Sequence, residues 1–236
     1  MTGSERRAHR RQVNGLWAWT PEDPDWVVAL AKRYGYEYIV AHDGDDARLK
    51  RFRALTRSAG LRLAVSRYIG RPHPDPQADA DECAHAFRVA QADHVIVNAE
   101  REYEHATSPV SAGFVRAFRR QLSHADAWLS SYGLLTRFHG GLARRPWLEG
   151  GFGGMPQAYE GMNPALTPSA CLRDWKAGGW PQSRLRITLQ AFAEPHRVRP
   201  SRLRDSLREI PGVRCNAFRA GTALQAELDA MAEASL

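Results

Sequence analysis

The chain has 236 residues, of which 33 are Lys or Arg and 26 are Asp or Glu, so its formal net charge is +7. Hydrophobic residues make up 43% and charged residues 25%, which excludes a wholly disordered chain. No run of about 18 apolar residues occurs and no apolar segment follows the charged first residues, so we expect neither a membrane span nor a secretory signal peptide. The length suits one large domain, such as an α/β barrel of roughly 250 residues.

Neither the basic residues nor the cysteines indicate a nucleic-acid or metal partner. All basic residues except Lys32, Lys50 and Lys176 are arginines, and the arginine clusters at 6–11 and 197–208 lack the interleaved aromatic residues of a single-strand binding groove. Net positive charge alone supports only non-specific attraction. The three cysteines have neither disulfide nor zinc spacing, so we expect buried thiols and no metal or other cofactor.

Short apolar runs alternate regularly with longer amphipathic stretches along the chain. In chain order, we predict strands at 15–20, 38–41, 61–68, 94–98, 132–138, 154–159, 185–192 and 213–218. We predict helices at 21–35, 46–59, 78–92, 110–129 and 222–232. Two further helices are predicted to begin at N-caps, one from Thr167 to about 178 and one from Ser201 to about 210. Residues 145–151 are predicted to form an irregular connection. Strands that alternate with helices in this way indicate a parallel sheet.

Eight strand–helix units within this length favour a single (β/α)8 barrel of the α/β class over an open doubly wound sheet. No G-x-G-x-x-G follows the first strand, so a dinucleotide-binding fold lacks its fingerprint. We expect one domain over 14–236, preceded by a flexible basic arm over 1–13. On the fourth strand, alternation predicts that Val95 and Val97 pack against the helices and that Asn98 points into the barrel.

The functional residues of such a barrel lie at the carboxyl ends of its strands. In this chain those ends carry carboxylates, amides and aromatic rings, a combination that suits sugars because rings cover their apolar faces and polar groups bond their hydroxyls. The residues that we expect to bind substrate are Trp17, Trp19, Tyr68, Asn98, Tyr132, Gln157, Tyr159 and Gln190. For Trp17, packing in the core is the alternative.

The segment VIVNAERE at the fourth strand carries the main catalytic candidate. If Asn98 faces the barrel, Glu100 shares its face and projects into the mouth. Burial between aromatic rings would favour the protonated carboxyl group that a general acid needs. The alternative is a solvated acidic start to the next helix, which suits Glu102 and Glu104 better than Glu100.

Glycoside hydrolysis by the usual route needs a second carboxylate. Glu160 directly follows the strand segment MPQAY, and Asp43 lies in the segment HDGDD after the second strand. An exposed loop position is the alternative for Glu160, and a solvated turn is the alternative for Asp43. The segment DGDD lacks the length and spacing of a calcium-binding loop.

The segments GLWAWT, VNAEREYE, SSYG, MPQAYE and LQAF, in this order, resemble a family of glycoside-hydrolase-like barrels of actinobacteria and their bacteriophages. That family is loosely similar to the lysozyme-type barrels that cut cell-wall glycan. The resemblance covers roughly residues 14–218 and implies a glycan-directed site in which Glu100 matches the acid of the fourth strand. Many such barrels have D-x-E there, whereas this chain has Asn98-Ala99-Glu100, so one candidate partner carboxylate is missing.

Two functions are therefore weighed against each other, with a non-carbohydrate enzyme of the same fold as a third alternative, since a barrel does not fix function. The first is hydrolysis of a bacterial cell-surface or cell-wall glycan, with Glu100 as the general acid and Glu160 or Asp43 as its partner. The second is a non-catalytic module that binds glycan or serves as a structural part. The resemblance implies a tail component of a virion, made in the host cytoplasm, with bacterial glycan and other tail proteins as partners; a cytoplasmic protein is the alternative.

Overall fold

A computed structural model describes residues 12–105, 108–192, 196–223 and 225–234 as alternating strands and helices. The strands are β1 (Val13–Ala18), β2 (Tyr38–His42), β3 (Arg62–Tyr68), β4 (His94–Asn98), β5 (Asp126–Tyr132), β6 (Gly153–Ala158), β7 (Arg186–Gln190) and β8 (Arg214–Phe218). The helices are α1 (Pro24–Arg33), α2 (Asp46–Ala59), α3 (Pro76–Ala90), α4 (Arg101–Glu104), α5 (Ser108–Gln121), α6 (Leu135–Phe138), α7 (Arg144–Glu149), α8 (Pro168–Ala177), α9 (Pro200–Arg208) and α10 (Gln225–Ala234). Short 3-10 turns precede β7 and α10.

The eight strands close into one parallel barrel in chain order, with β8 paired to β1. Each strand lies beside the next one along the chain, and helices form the crossovers between them. The prediction of a single (β/α)8 barrel is confirmed.

Alternation along the strands produces two apolar cores. The outer core lies between the sheet and the helices and includes Val95 and Val97, as predicted. The inner core fills the barrel and consists of Trp17, Tyr38, Val40, Ala64, Ile96, Trp128 and Met155. At Gly15 a Cβ atom would collide with the Tyr38 ring, so glycine is required where the first strand passes this large inward side chain.

The three cysteines lie in the outer core as free, buried thiols. This confirms the prediction of buried thiols. Burial raises the pKa of Cys83, Cys171 and Cys215, so these thiols are poorly reactive. Among the described residues, no helix is long and apolar enough to cross a membrane.

The predicted position of the fifth strand was wrong. It was placed at 132–138, but β5 runs from Asp126 to Tyr132, and the segment after it contains the short helix α6. The predicted helix over 110–129 therefore ends early, at Gln121. The apolar pattern of α5 continues into β5 without a glycine or proline to separate them, so helix and strand periods could not be distinguished there.

The helix starts were predicted with mixed success. Thr167 is the N-cap of α8, and its side chain accepts a hydrogen bond from the Ala170 N–H group. Ser201 is not an N-cap, because α9 begins at Pro200 and Arg199 occupies the cap position without a side-chain bond. The last helix begins at Gln225 rather than 222, and residues 145–151 largely form α7.

The predicted basic arm over 1–13 falls mostly outside the described residues. Its last residue, Val13, begins β1. Gln12 is already anchored to the barrel, because its side-chain amide donates to the carbonyl oxygens of Leu207 at 3.0 Å and Ile210 at 2.9 Å.

Candidate functional site

A cavity of about 340 Å³ opens at the carboxyl ends of the strands, within the usual size range of small-molecule sites. Side chains at or after every strand except β7 contribute to it. The lining residues are Trp17, Trp19, His42, Asp43, Tyr68, Arg71, Asn98, Glu100, Tyr132, Gly133, Gln157, Tyr159, Met162, Leu166 and Phe218. The structure thus brings together the predicted site residues, with the exception of Glu160 and Gln190.

Glu100 is held at the cavity wall by an amide group from β6. The Gln157 Nε2 atom donates to Glu100 Oε1 at 2.9 Å and lies 3.0 Å from Asn98 Oδ1 and 3.3 Å from Ser130 Oγ. The strand register explains this meeting, because Asn98 lies opposite Ser130, and Tyr132 on the same strand lies opposite Gln157. Within the described part of the chain, Glu100 Oε2 has no hydrogen-bond partner, so this oxygen is open to a ligand.

Two tyrosines lie within electrostatic reach of Glu100. The Tyr132 ring stacks on His139 with centroids 3.6 Å apart, and the Tyr159 ring stacks on Phe218 with centroids 5.5 Å apart. Burial and the charge of Glu100 raise the pKa of Tyr132 to about 12 and the pKa of Tyr159 well above its ordinary value. Both phenol groups therefore stay protonated at neutral pH and can donate hydrogen bonds.

The two tryptophans of the first strand segment take different positions. Trp17 is buried in the inner core and also borders the cavity floor, so core packing and a site position coincide. Trp19 lies beyond the strand end, half-buried, and stacks on His42 with ring centroids 3.9 Å apart. Phe218 packs edge-on against both indole rings. Trp19 is thus held as a rigid aromatic wall of the cavity.

Tyr68 is fixed on a neighbouring wall by two contacts. Its hydroxyl group donates to Glu102 Oε2 at 2.6 Å, and the guanidinium group of Arg71 lies 3.8 Å from its ring centroid. Burial and the bond to Glu102 raise the pKa of Tyr68 above its ordinary value. Glu102 is therefore occupied by this phenol group, which leaves Glu100 as the carboxylate that β4 delivers to the cavity.

Asp43 enters the cavity from the turn after β2. Its carboxylate lies 3.1 Å from His42 Nε2 and 3.7 Å from Arg67 Nη1, and it accepts a hydrogen bond from the Tyr68 N–H group. The other ring nitrogen of His42 lies 3.0 Å from Ser66 Oγ. Burial alone would raise the pKa of Asp43, but the His42 contact and its other partners lower it. Asp43 is therefore a charged and firmly held carboxylate at neutral pH.

Glu160 does not face the cavity, contrary to its predicted role as a second carboxylate. Its Oε1 atom accepts a hydrogen bond from Arg202 Nε at 2.6 Å, and its Oε2 atom lies 3.4 Å from Ser206 Oγ. Both partners belong to α9. Glu160 lies in the turn after β6, and its contacts with α9 hold it against the helical layer.

Gln190 points inward but is covered, so it does not line the cavity as predicted. Its Oε1 atom accepts from the Gly161 N–H group at 2.9 Å, and its Nε2 atom donates to the carbonyl oxygens of Phe192 and His196. Gly161 belongs to the loop after β6, which approaches the end of β7 here. Gln190 therefore ties two loops together rather than meeting a ligand.

Several lining residues were not assigned a role from the sequence. Phe218 is the last inward position of β8, so alternation could have identified it. His42 ends β2, one residue beyond the predicted strand, and only the structure shows that it joins Trp19 to Asp43. Arg71, Met162 and Leu166 come from irregular loops, for which no periodic signal exists.

Comparisons with protein-family models and with curated protein sequences give no match. Solved structures do match. A chitinase from Rhizomucor miehei has a TM-score of 0.66 at 12% sequence identity, over 94% of this chain and 100% of that one. A GH18 chitinase from Pseudoalteromonas aurantia has a TM-score of 0.65 at 10% identity, over 94% and 99% of the two chains.

The homocysteine methyltransferase of Escherichia coli is also similar, with a TM-score of 0.61 at 16% identity over 96% of this chain and 97% of that one. Further similar barrels are epimerases and aldolases. At such identities the likeness shows the fold alone, because one barrel architecture hosts many chemistries. The chain has the single (β/α)8 barrel fold that these glycoside hydrolases share with other enzymes.

Proposed function

We propose that the protein is glycoside hydrolase-like and acts on a bacterial cell-surface or cell-wall glycan, with Glu100 as its general acid. The observation that carries this proposal is the position of Glu100 in the aromatic cavity, with one carboxylate oxygen held by Gln157 and the other open. The presence of two chitinases among the similar barrels supports it. The sequence resemblance to glycan-directed barrels supports it as well.

The cavity walls offer both kinds of contact that a sugar needs. Trp19 presents an aromatic wall against which the apolar face of a sugar ring can lie. The protonated hydroxyl groups of Tyr132 and Tyr159 and the amide of Asn98 offer polar partners for its hydroxyl groups. A sugar bound in this way places its glycosidic oxygen next to Glu100.

In the proposed reaction, protonated Glu100 gives its proton to the glycosidic oxygen as the bond from that oxygen to the anomeric carbon breaks. Water then adds to the anomeric carbon and loses its proton to a base. Asp43 is the remaining candidate for this base, since Glu160 is engaged by Arg202. Asp43 and Glu100 both line the cavity, and an inverting mechanism requires their carboxyl groups to be roughly 6.5–9.5 Å apart.

A second candidate function is a glycan-binding or structural module without catalysis. Three features favour it: Asn98 stands where related motifs have Asp, Glu160 faces α9, and Asp43 is already paired with His42. The aromatic cavity is common to both functions, so sugar binding alone does not separate them.

The proposal also covers where the protein is found, and the sequence resemblance is the support for this part. We place the protein in the tail of a bacteriophage virion, with tail proteins as partners, rather than in the cytoplasm. Antibody detection in purified virions tests this placement. Signal in the infected-cell lysate but none in the virions would refute it.

Substitution of Trp19 by Ala tests the glycan site directly. Binding to purified actinobacterial cell walls, measured by depletion from solution, should weaken at least tenfold because the aromatic wall is lost. Trp26→Ala is the matched control, since Trp26 lies on α1 and is 46% exposed; it should bind normally. Equal binding by both variants, or no binding by the unmodified protein, would refute a glycan site in this cavity.

A further inference from the structure

A second cavity, of about 360 Å³, lies at the opposite end of the barrel. Its lining includes the first residues of three strands, namely Asp126, Arg186 and Arg214, together with Trp128 and Arg184. Three arginines and one aspartate give these walls a net charge of +2. This end of a barrel normally serves stability rather than binding, so a cationic cavity here needs an explanation.

Arg186 is the central feature of this cavity. The residue is only 6% exposed, and its guanidinium carbon lies 4.1 Å from the ring centroid of Trp128 and 5.4 Å from that of Tyr38. Its Nη1 atom donates to the Tyr38 hydroxyl oxygen at 3.3 Å. Within the described part of the chain, no carboxylate lies within 4.0 Å of Arg186.

A buried cation without a counter-ion is costly, and contacts with aromatic faces offset only part of that cost. The one carboxylate of the cavity is already engaged. Asp126 accepts a hydrogen bond from Arg184 Nη1 at 2.9 Å, and its other oxygen lies 2.8 Å from His94 Nδ1. The charge of Arg186 therefore calls for an external anion.

We infer that this cavity binds a phosphate dianion, either free or as the terminal group of a phosphate monoester, with Arg186 as its main ligand. The planar guanidinium group donates two parallel hydrogen bonds to phosphate oxygens, a geometry that an ammonium group does not offer. The site lies at the other end of the barrel from Glu100, so it does not depend on the proposed glycan function.

Calorimetric titration of the full chain with inorganic phosphate tests this inference. At pH 8 the phosphate is mainly dianionic, and the ionic strength is held constant with chloride. We expect saturable binding that Arg186→Gln weakens at least tenfold. Arg145→Gln should bind normally, because Arg145 is exposed and pairs with Glu149 on α7. A parallel titration with glycerol phosphate identifies the source: tighter binding of the ester indicates a monoester ligand, and equal or weaker binding indicates free phosphate.

A second variant guards against failure of Arg186→Gln to fold, since that side chain packs between two buried rings. Arg214→Gln removes a charge from the cavity wall and should also weaken phosphate binding. Absence of saturable binding by the unmodified protein would overturn the inference. Unchanged affinity in folded Arg186→Gln, or in Arg214→Gln if the first variant does not fold, would do the same.

Discussion

At the scale of single residues, the amide of Gln157 holds one carboxylate oxygen of Glu100 at the cavity wall. A side-chain amide has two N–H donors, yet three acceptors surround this one, on Glu100, Asn98 and Ser130. The acceptors therefore compete for the same donor group. A change at Asn98 should be felt at Glu100 through this shared amide.

Asn98→Asp tests that coupling. The new carboxylate keeps the acceptor for Gln157 and adds a negative charge beside Glu100, so the pair of carboxyl groups should hold one proton more strongly. We expect glycan hydrolysis at neutral pH to rise and the alkaline limb of the pH–rate profile to move upward.

Asn163→Asp is the control for this change, because Asn163 lies in an exposed loop and its side chain accepts a local hydrogen bond from the Ala165 N–H group. Its rate and pH profile should equal those of the unmodified protein. An unchanged pH profile in Asn98→Asp would contradict the electrostatic coupling between positions 98 and 100.

Strand alternation explains which site residues could be predicted. Asn98, Gln157 and Tyr159 lie at or next to strand ends in an inward register, where a period of two determines direction. The position of Glu160 outside the cavity lining was not predicted, because its partner Arg202 lies on a distant helix and no local pattern indicates such a pairing. Gln190 was misassigned because the loop that covers it is irregular.

At the scale of elements, boundaries were harder to predict than the elements themselves. The strand β5 contains two serines near its end, which favour strands only weakly, and its apolar residues continue the pattern of α5. Elements with clear turn chemistry were predicted well. The helix α2, for example, spans the predicted 46–59 and ends at Gly60 in the left-handed conformation.

The two predicted N-caps give a matched test at this scale. Thr167→Ala removes a side-chain bond to the Ala170 N–H group and should lower the free energy of unfolding by about 1 kcal/mol. Ser201→Ala should have almost no effect, since Ser201 lies inside α9 and caps nothing. Urea unfolding measures both. Equal losses in the two variants would show that the cap of α8 does not contribute as the structure indicates.

At the scale of the whole molecule, the two ends of the barrel carry different chemistry. The carboxyl ends of the strands combine aromatic rings with Glu100 and Asp43, whereas the amino ends gather arginines around Trp128. Sequence reasoning predicted the barrel, and most of the residues that line the cavity at the carboxyl ends of its strands, because periodicity and strand order define both. It missed the arginine-lined end, since an arginine at a strand start, such as Arg186, resembles a solvated charge until closure of the barrel buries it.

The ion pairs at this amino-terminal end should make stability depend on pH. Burial alone would raise the pKa of Asp126, but hydrogen bonds with His94 and Arg184 hold it below its ordinary value of 3.8. The carboxylate of Asp126 therefore binds a proton more readily in the unfolded chain than in the folded one. The stability that Asp126 contributes is present above about pH 3.8 and is lost as the pH falls below that value.

Asp126→Asn should accordingly be less stable than the unmodified protein at neutral pH but lose less stability between about pH 5 and pH 2. Urea unfolding at several pH values measures the two curves. Asp205→Asn is the control, because Asp205 is exposed in an i,i+3 pair with Arg208, and its curve should follow the unmodified protein. Parallel curves for Asp126→Asn and the unmodified protein would contradict the role of these ion pairs.

The most direct test of the account is the release of sugar fragments from actinobacterial cell walls by the unmodified protein and by Glu100→Gln. The variant keeps the shape of the side chain but has no acidic proton, so release should fall by at least about 10²-fold, the lower end for general acid catalysis, while binding persists. Glu149→Gln, on an exposed helix position, should release fragments normally. Equal release by Glu100→Gln and the unmodified protein would contradict the assignment of Glu100 as the general acid. Glycan binding by the unmodified protein without any release of fragments would contradict catalysis and favour the non-catalytic glycan-binding module.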